Sequence, residues 1–247
     1  MLSGLELVIV LAAVCLGATV MGTVSFGMGL VITPVMLLFL EPQPSVVIAN
    51  TLIGLLLCLV LFQTRRHLNL RAVGGMAAGG LAAVPLGVLA LSNANSTLLR
   101  VTIAVIILAL CLMALFNIRL PLARRRFAGP VFGFLASLSV TTLSIGGPLA
   151  AFYVMAQGWP ASAMRASLAF YFLLANAAAF GFYLWAGLVD RPTLTNIGLL
   201  LPGLALGMGL SSLLVRRVDA RVFRYIAIAV SAAGSLMLLA KELAGRF

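Results

Sequence analysis

Residues 46–62, 72–91, 101–116, 166–188, 194–215 and 225–240 form six apolar stretches, each close to the length a helix needs to cross a hydrocarbon core, about 20 residues. Each predicts a full membrane crossing. Two further apolar segments, 5–40 and 128–157, are too long for one upright helix; the first would extend about 54 Å at 1.5 Å per residue. Each contains an interruption: Gly22-Thr23-Val24-Ser25-Phe26-Gly27-Met28-Gly29 in the first, and Ser137-Leu138-Ser139-Val140-Thr141-Thr142-Leu143-Ser144-Ile145-Gly146-Gly147-Pro148 in the second. Glycine weakens a helix and proline removes one of its hydrogen bonds, so both segments are expected to break inside the membrane. Gly and Ser also let membrane helices pack closely, but their density here and their recurrence in both segments favour the break.

The broken segments open two similar halves, 1–120 and 121–247. In each half the break leads to a short apolar stretch and a Pro-containing turn, Glu41-Pro42-Gln43-Pro44 or Gly158-Trp159-Pro160. A long helix follows, opening near Ala49-Asn50-Thr51 in one half and Ala166-Ser167 in the other. Next come a loop with Arg71 or Arg191, a third helix carrying Pro85 or Pro202, and a fourth opened by Arg100 or Arg224. The repetition marks two copies of one unit.

Composition supports a membrane setting: 63% of residues are hydrophobic, 9% are charged, and mean hydropathy is +1.21. A soluble domain carries about 25% charged residues. The net charge of +11 then describes orientation rather than nucleic-acid binding, since no aromatic-interleaved basic surface or soluble domain is present to bind nucleic acid. If both broken segments crossed fully, the sixteen Lys and Arg would divide ten against six. If each enters and leaves on one face, Arg65, Arg66, Arg71, Arg119, Arg124, Arg125, Arg126, Arg165, Arg216, Arg217, Arg221 and Arg224 share a side, twelve against four. The second division obeys the positive-inside rule better. It also leaves three crossings per half, an odd number that inverts one half relative to the other. The expected fold is thus an all-α polytopic membrane protein of two inverted repeats, each a broken, re-entrant-like helix pair plus three transmembrane helices. Its basic loops would be cytoplasmic and both termini periplasmic. The first positive charge is Arg65, so the N-terminal segment is expected to remain as a membrane helix rather than act as a cleaved signal.

The breaks carry the candidate chemistry. A broken helix presents unpaired N–H groups and a partial positive charge at the N-terminus of its second half. Gly27, Gly29, Gly146 and Gly147 would let an anion approach that backbone closely. Phe26 flanks the first break, and Ser25, Thr141, Thr142 and Ser144 add hydroxyls. Asn50, Thr51 and Ser167 open the long second helices. Arg165 offers a rigid fork of donors suited to oxyanions; as an alternative it anchors a helix end at the headgroups.

The five acids, Glu6, Glu41, Asp190, Asp219 and Glu242, all fall near helix ends or loops. A buried proton relay of the kind common in pumps is therefore not expected, and neither is a cation or metal site. His67 is the sole histidine and lies in a basic loop, so an enzyme with a nucleophile–base pair is not expected, and neither is a cofactor. Cys15, Cys58 and Cys111 are far apart inside apolar runs, with no disulfide or metal spacing. The small faces Gly75/Gly79 and Gly203/Gly207 suit helix packing within one protomer or in a homodimer.

The residue 22–29 stretch followed by Pro34, its counterpart Ser144-Ile145-Gly146-Gly147-Pro148, and the Trp159-Pro160-Ala161-Ser162-Ala163-Met164-Arg165-Ala166-Ser167 run together resemble the sulfite exporter TauE/SafE family, within the toluene-sulfonate uptake permease superfamily. The resemblance spans almost the whole chain. It implies a bacterial inner-membrane permease of two similar halves that moves sulfite, organosulfonates or related sulfur oxyanions. One departure is that the first break reads Gly27-Met28-Gly29-Leu30 where the family commonly has adjacent glycines. The expected mechanism is alternating access at a midplane site formed by the two breaks, with Arg165 clamping the anion. An anion channel, or a transporter for thiosulfate, sulfate or a carboxylate, is the alternative.

Overall fold

The computed structural model describes residues 2–24, 26–115, 128–214 and 220–244. Ser25, Arg119, the Arg124 to Arg126 cluster, Arg216, Arg217, Asp219 and Arg246 lie outside the described residues, as do the side chains of Arg221 and Arg224. Among the described residues the fold is all helical, with ten α-helices: α1 (Gly4–Val24), α2 (Met28–Met36), α3 (Pro42–Thr64), α4 (Leu70–Asn93), α5 (Ser96–Leu115), α6 (Ala128–Leu143), α7 (Gly147–Ala156), α8 (Ala161–Trp185), α9 (Arg191–Leu214) and α10 (Ala220–Ala244). A short 3-10 turn, Arg65–His67, closes α3. Among the described residues six helices are long and apolar enough to cross a membrane: Gly4–Gly22, Pro42–His67, Leu70–Asn93, Ser96–Met113, Ala161–Trp185 and Arg191–Leu213. Leu55, Leu59, Phe62, Leu86, Leu206 and Leu213 are exposed on their outer faces. That apolar surface is at home in lipid rather than in water.

The segment 5–40 divides into α1 and α2, and 128–157 into α6 and α7. Both pairs are hairpins. Gly27 lies against Val20, and Gly17 against Met28 and Ile32, so α2 runs back along α1. Gly146 lies against Ala136 and Val140, while farther down the pair the Phe132 and Tyr153 rings stack with centroids 6.0 Å apart. The arms are unequal. α1 has 21 residues against nine in α2, so the first arm alone is long enough for a crossing, which the placement of the break did not suggest.

Glycine faces set the helix packing. Gly75 and Gly79 of α4 press on Pro130 of α6; farther along, Gly80 meets Ser137 and Gly87 meets Thr141. The two helices therefore run parallel. In the same way Gly203 of α9 meets Leu11 of α1, Gly207 meets Cys15 and Ala18, and Ser211 meets Gly22. These are the small-residue faces picked out in the sequence, and both are used inside the protomer. α3 and α8 cross antiparallel at the centre, Asn50 bonding Tyr183 and Gly54 lying against Asn176.

The ends of the bundle are tied differently. At one end the Leu2 amide donates to Asn196 Oδ1 (3.1 Å), Lys241 Nζ donates to the Leu38 carbonyl (2.8 Å), and Arg100 bridges Glu41 and Glu242, both at 2.9 Å. Arg100 is thus engaged by carboxylates at the start of α3 and in the last turn of α10. Four acids, Glu6, Glu41, Asp190 and Glu242, belong to this end through the helix termini they occupy. The other end holds the Arg65–His67 turn and Arg71 at the start of α4.

Candidate functional site

The tips of the two hairpins touch. A Cβ on Gly29 would collide with the Ser144 carbonyl oxygen, and Gly147 faces Phe26 and the Gly27 amide. The local chain explains how tips can come so close. Gly27 has φ 102° as it enters α2, a left-handed conformation that suits glycine. Gly29 has no side chain where the opposite backbone arrives. On the other tip, Ser144 ends α6 with φ 61°, an αL conformation that costs a residue with a Cβ about 1–2 kcal/mol. Its amide donates to the Val140 carbonyl (2.8 Å) and the Ile145 amide to that of Ser139 (3.3 Å), which closes the last turn of α6. Pro148 then sits in the first turn of α7, where a missing N–H costs nothing.

Asn50 secures this geometry from α3. Its Nδ2 donates to the Val140 carbonyl (2.9 Å) and to Tyr183 Oη (2.8 Å), and its Oδ1 accepts from Ser144 Oγ (2.8 Å). Tyr183 in turn donates to the Thr141 carbonyl at 2.6 Å. All five residues are buried. One network therefore joins the strained tip to two central helices, and every member is satisfied, the condition under which a buried polar network rigidifies its surroundings.

Between the tips lies a cavity of about 30 Å³, room for roughly two water-sized bodies. It is bounded by the first turns of α2 and α7, by Asn50 and Ile53 of α3, and by Phe172 and Asn176 of α8. Among the described residues no charged side chain lines it. Both α2 and α7 begin at a glycine with no side-chain cap, Gly27 and Gly146. The first turns of both helices, with the positive ends of two helix dipoles, about +0.5 charge each, thus border one small space, where Gly147 but not Pro148 has an N–H to offer. Such a space suits an anion's oxygens.

Of the residues expected at the site, Phe26, Gly27, Gly29, Asn50, Ser144, Gly146 and Gly147 line the cavity. The remaining described ones do not. Thr51 Oγ1 donates to the Val47 carbonyl (2.7 Å), Thr141 Oγ1 to that of Ser137 (2.8 Å), and Thr142 Oγ1 to that of Gly87 (3.1 Å). Ser167 is buried in α8 away from the cavity. Arg165 Nη2 donates to the Gly22 carbonyl at 2.9 Å. Gly22 belongs to the last turn of α1, whose carbonyls lack helical partners, and a guanidinium there also opposes the negative end of the helix dipole. Ser25 lies outside the described residues.

The sequence reading did not pick out Phe172, Asn176 or Tyr183. One signal was present: an Ala-Asn pair interrupts an apolar run in each half, Ala49-Asn50 in α3 and Ala175-Asn176 in α8. Matching Asn50 to Ala166-Ser167 instead set the second long helix in another register, one that points to the start of α8 rather than its middle.

A polytopic helical bundle with an uncharged, backbone-lined cavity between two hairpin tips has the build of a membrane permease for a small anion. The family model described as Sulfite exporter TauE/SafE matches residues 9–238, and the chain belongs to that family. The family is one of membrane permeases for sulfur anions, a transporter family rather than one of enzymes. No curated protein and no solved structure matches the chain.

Proposed function

We propose that this protein exports sulfite or a comparably small sulfur oxyanion across the inner membrane by alternating access, with the anion held between the two hairpin tips. One observation carries the reading: the N-termini of α2 and α7, neither with a side-chain cap, meet at a cavity with no charged side chain among the described residues. Its small volume favours a compact oxyanion over an organosulfonate with a bulky substituent.

The halves 1–120 and 121–247 act as inverted repeats in this reading. Support comes from packing direction. α6 starts beside the start of α4, at the end that holds Arg65–His67; α1 starts beside the start of α9, at the end where Leu2 meets Asn196. The hairpins would then enter from opposite sides of the membrane, as broken helices do in inverted-repeat transporters. The Arg65, Arg66 and Arg71 end faces the cytoplasm under the positive-inside rule, which puts the acid-bearing end and the N-terminus in the periplasm.

The test is sulfite flux in proteoliposomes. Saturable flux with counterflow is expected. Flux that rises without saturation would make the protein a channel, and absence of sulfite flux alongside transport of another anion would overturn the substrate assignment.

A further inference from the structure

Asn50 and Asn176 face the same cavity, but their amides are used differently. Asn50 spends both ends on the protein. Asn176 donates from Nδ2 to the Phe172 carbonyl at 2.7 Å, one turn back, and this bond fixes which end of the amide is nitrogen. Its Oδ1 is fully buried and accepts from no donor among the described residues, and the residue as a whole is 3% exposed. A buried acceptor without a donor carries a desolvation penalty that a ligand's O–H would remove.

The cavity thus offers two chemically distinct surfaces. The N-termini of α2 and α7 supply N–H donors, which suit anionic oxygens. Asn176 Oδ1 supplies an acceptor, which suits a proton. Two helix ends of about +0.5 each also balance one negative charge better than two. Among the described residues no carboxylate or histidine lines the cavity, so a proton at this position would arrive with the substrate.

We propose that the site selects the protonated monoanion, hydrogensulfite, and that Asn176 is the residue that selects it by accepting the substrate's O–H. Sulfite and its proton then move together, with no carboxylate relay in the protein. This proposal rests on the sulfur-oxyanion reading of the cavity.

The test is equilibrium binding to the full-length protein in lipid nanodiscs. Labelled sulfite is measured on both sides of the sulfite–hydrogensulfite titration, and chlorate serves as the competitor. Chlorate is a pyramidal monoanion of similar shape with no proton at any of these pH values. Affinity for total sulfite should follow the hydrogensulfite fraction, rising as pH falls. Chlorate should compete at least about tenfold more weakly, the scale of one unmade hydrogen bond to a buried acceptor. In Asn176→Leu the hydrogensulfite affinity should fall about tenfold, to the chlorate level, while chlorate affinity is unchanged. Chlorate binding as tightly as hydrogensulfite in the unsubstituted protein would overturn the proposal while leaving the anion site intact. So would an equal loss for both ligands in Asn176→Leu. Binding of neither ligand would instead remove the anion reading itself. The comparison in the unsubstituted protein stands even if the variant does not fold.

Discussion

Replacing Asn50 with leucine removes three hydrogen bonds from the centre of the bundle while nearly conserving side-chain volume. The bonds lost are those to the Val140 carbonyl (2.9 Å), Tyr183 Oη (2.8 Å) and Ser144 Oγ (2.8 Å). Hydrogen bonds between membrane helices average about 0.6 kcal/mol, and bonds in water-soluble proteins about 1 kcal/mol. The Val140 carbonyl and Ser144 hydroxyl are also left without this partner in a buried setting. Tyr183 keeps its bond to the Thr141 carbonyl. A total loss of about 2–4 kcal/mol follows. Steric trapping in bicelles measures reversible unfolding of a membrane protein and is the appropriate assay. Tyr183→Phe, which touches one of the same bonds, should couple with Asn50→Leu by at least about 0.5 kcal/mol in a double-mutant cycle. Sulfite affinity should fall as well, because the Ser144 turn that aims α7 at the cavity loses its anchor. An Asn50→Leu protein within about 0.5 kcal/mol of the unsubstituted one, or strict additivity with Tyr183→Phe, would refute the network.

Three further outcomes are expected. Gly79→Val and Gly207→Val each place a side chain against the backbone of the neighbouring helix, Pro130 or Cys15; each should destabilise by more than about 2 kcal/mol, whereas Gly74→Val, which meets nothing nearby, should not. Asp190 caps α9 by accepting from the Thr193 amide at 2.8 Å, and the hydrogen bonding from Thr193 holds its carboxyl below the usual carboxylate range. Its contribution is thus complete above that range and lost only as pH falls through the lowered value. Asp190→Ala should cost about 1 kcal/mol at neutral pH, and in thermal melts the difference between the two proteins should begin to narrow only below about pH 4. Arg165→Gln should lower thermal stability by about 1 kcal/mol by uncapping α1 and leave equilibrium sulfite affinity within about twofold; a loss beyond tenfold would make Arg165 part of the substrate site.

Much of the helical layout was legible in the sequence because it follows from local rules. Apolar length marked five of the six candidate spans, all but Gly4–Gly22, and Gly, Ser and Pro marked both breaks to within a few residues of Gly27 and Gly146. The glycine faces of α4 and α9 were also legible as packing surfaces; which helices they meet depends on contacts such as Gly79 to Pro130, 51 residues apart, and no local pattern reports those. The site was half legible for the same reason. Glycines at a tip announce close backbone approach, so Gly27, Gly29, Gly146 and Gly147 were readable. Among the hydroxyls Ser144 reaches the cavity, whereas Thr51 and Thr141 bond carbonyls one turn back along their own helices, a local use that looks the same in sequence as a ligand contact. Asn176 and Tyr183 escaped because their importance lies in where α8 crosses α3.

The claim that the anion sits between the tips is tested most directly by locating one there. Selenite is a close analogue of sulfite, and its selenium gives an anomalous signal that places it in a crystal without ambiguity. A single strong peak is expected between the first turns of α2 and α7, beside Gly29, Gly147 and Asn176. A peak at Arg165 with none between the tips would contradict it.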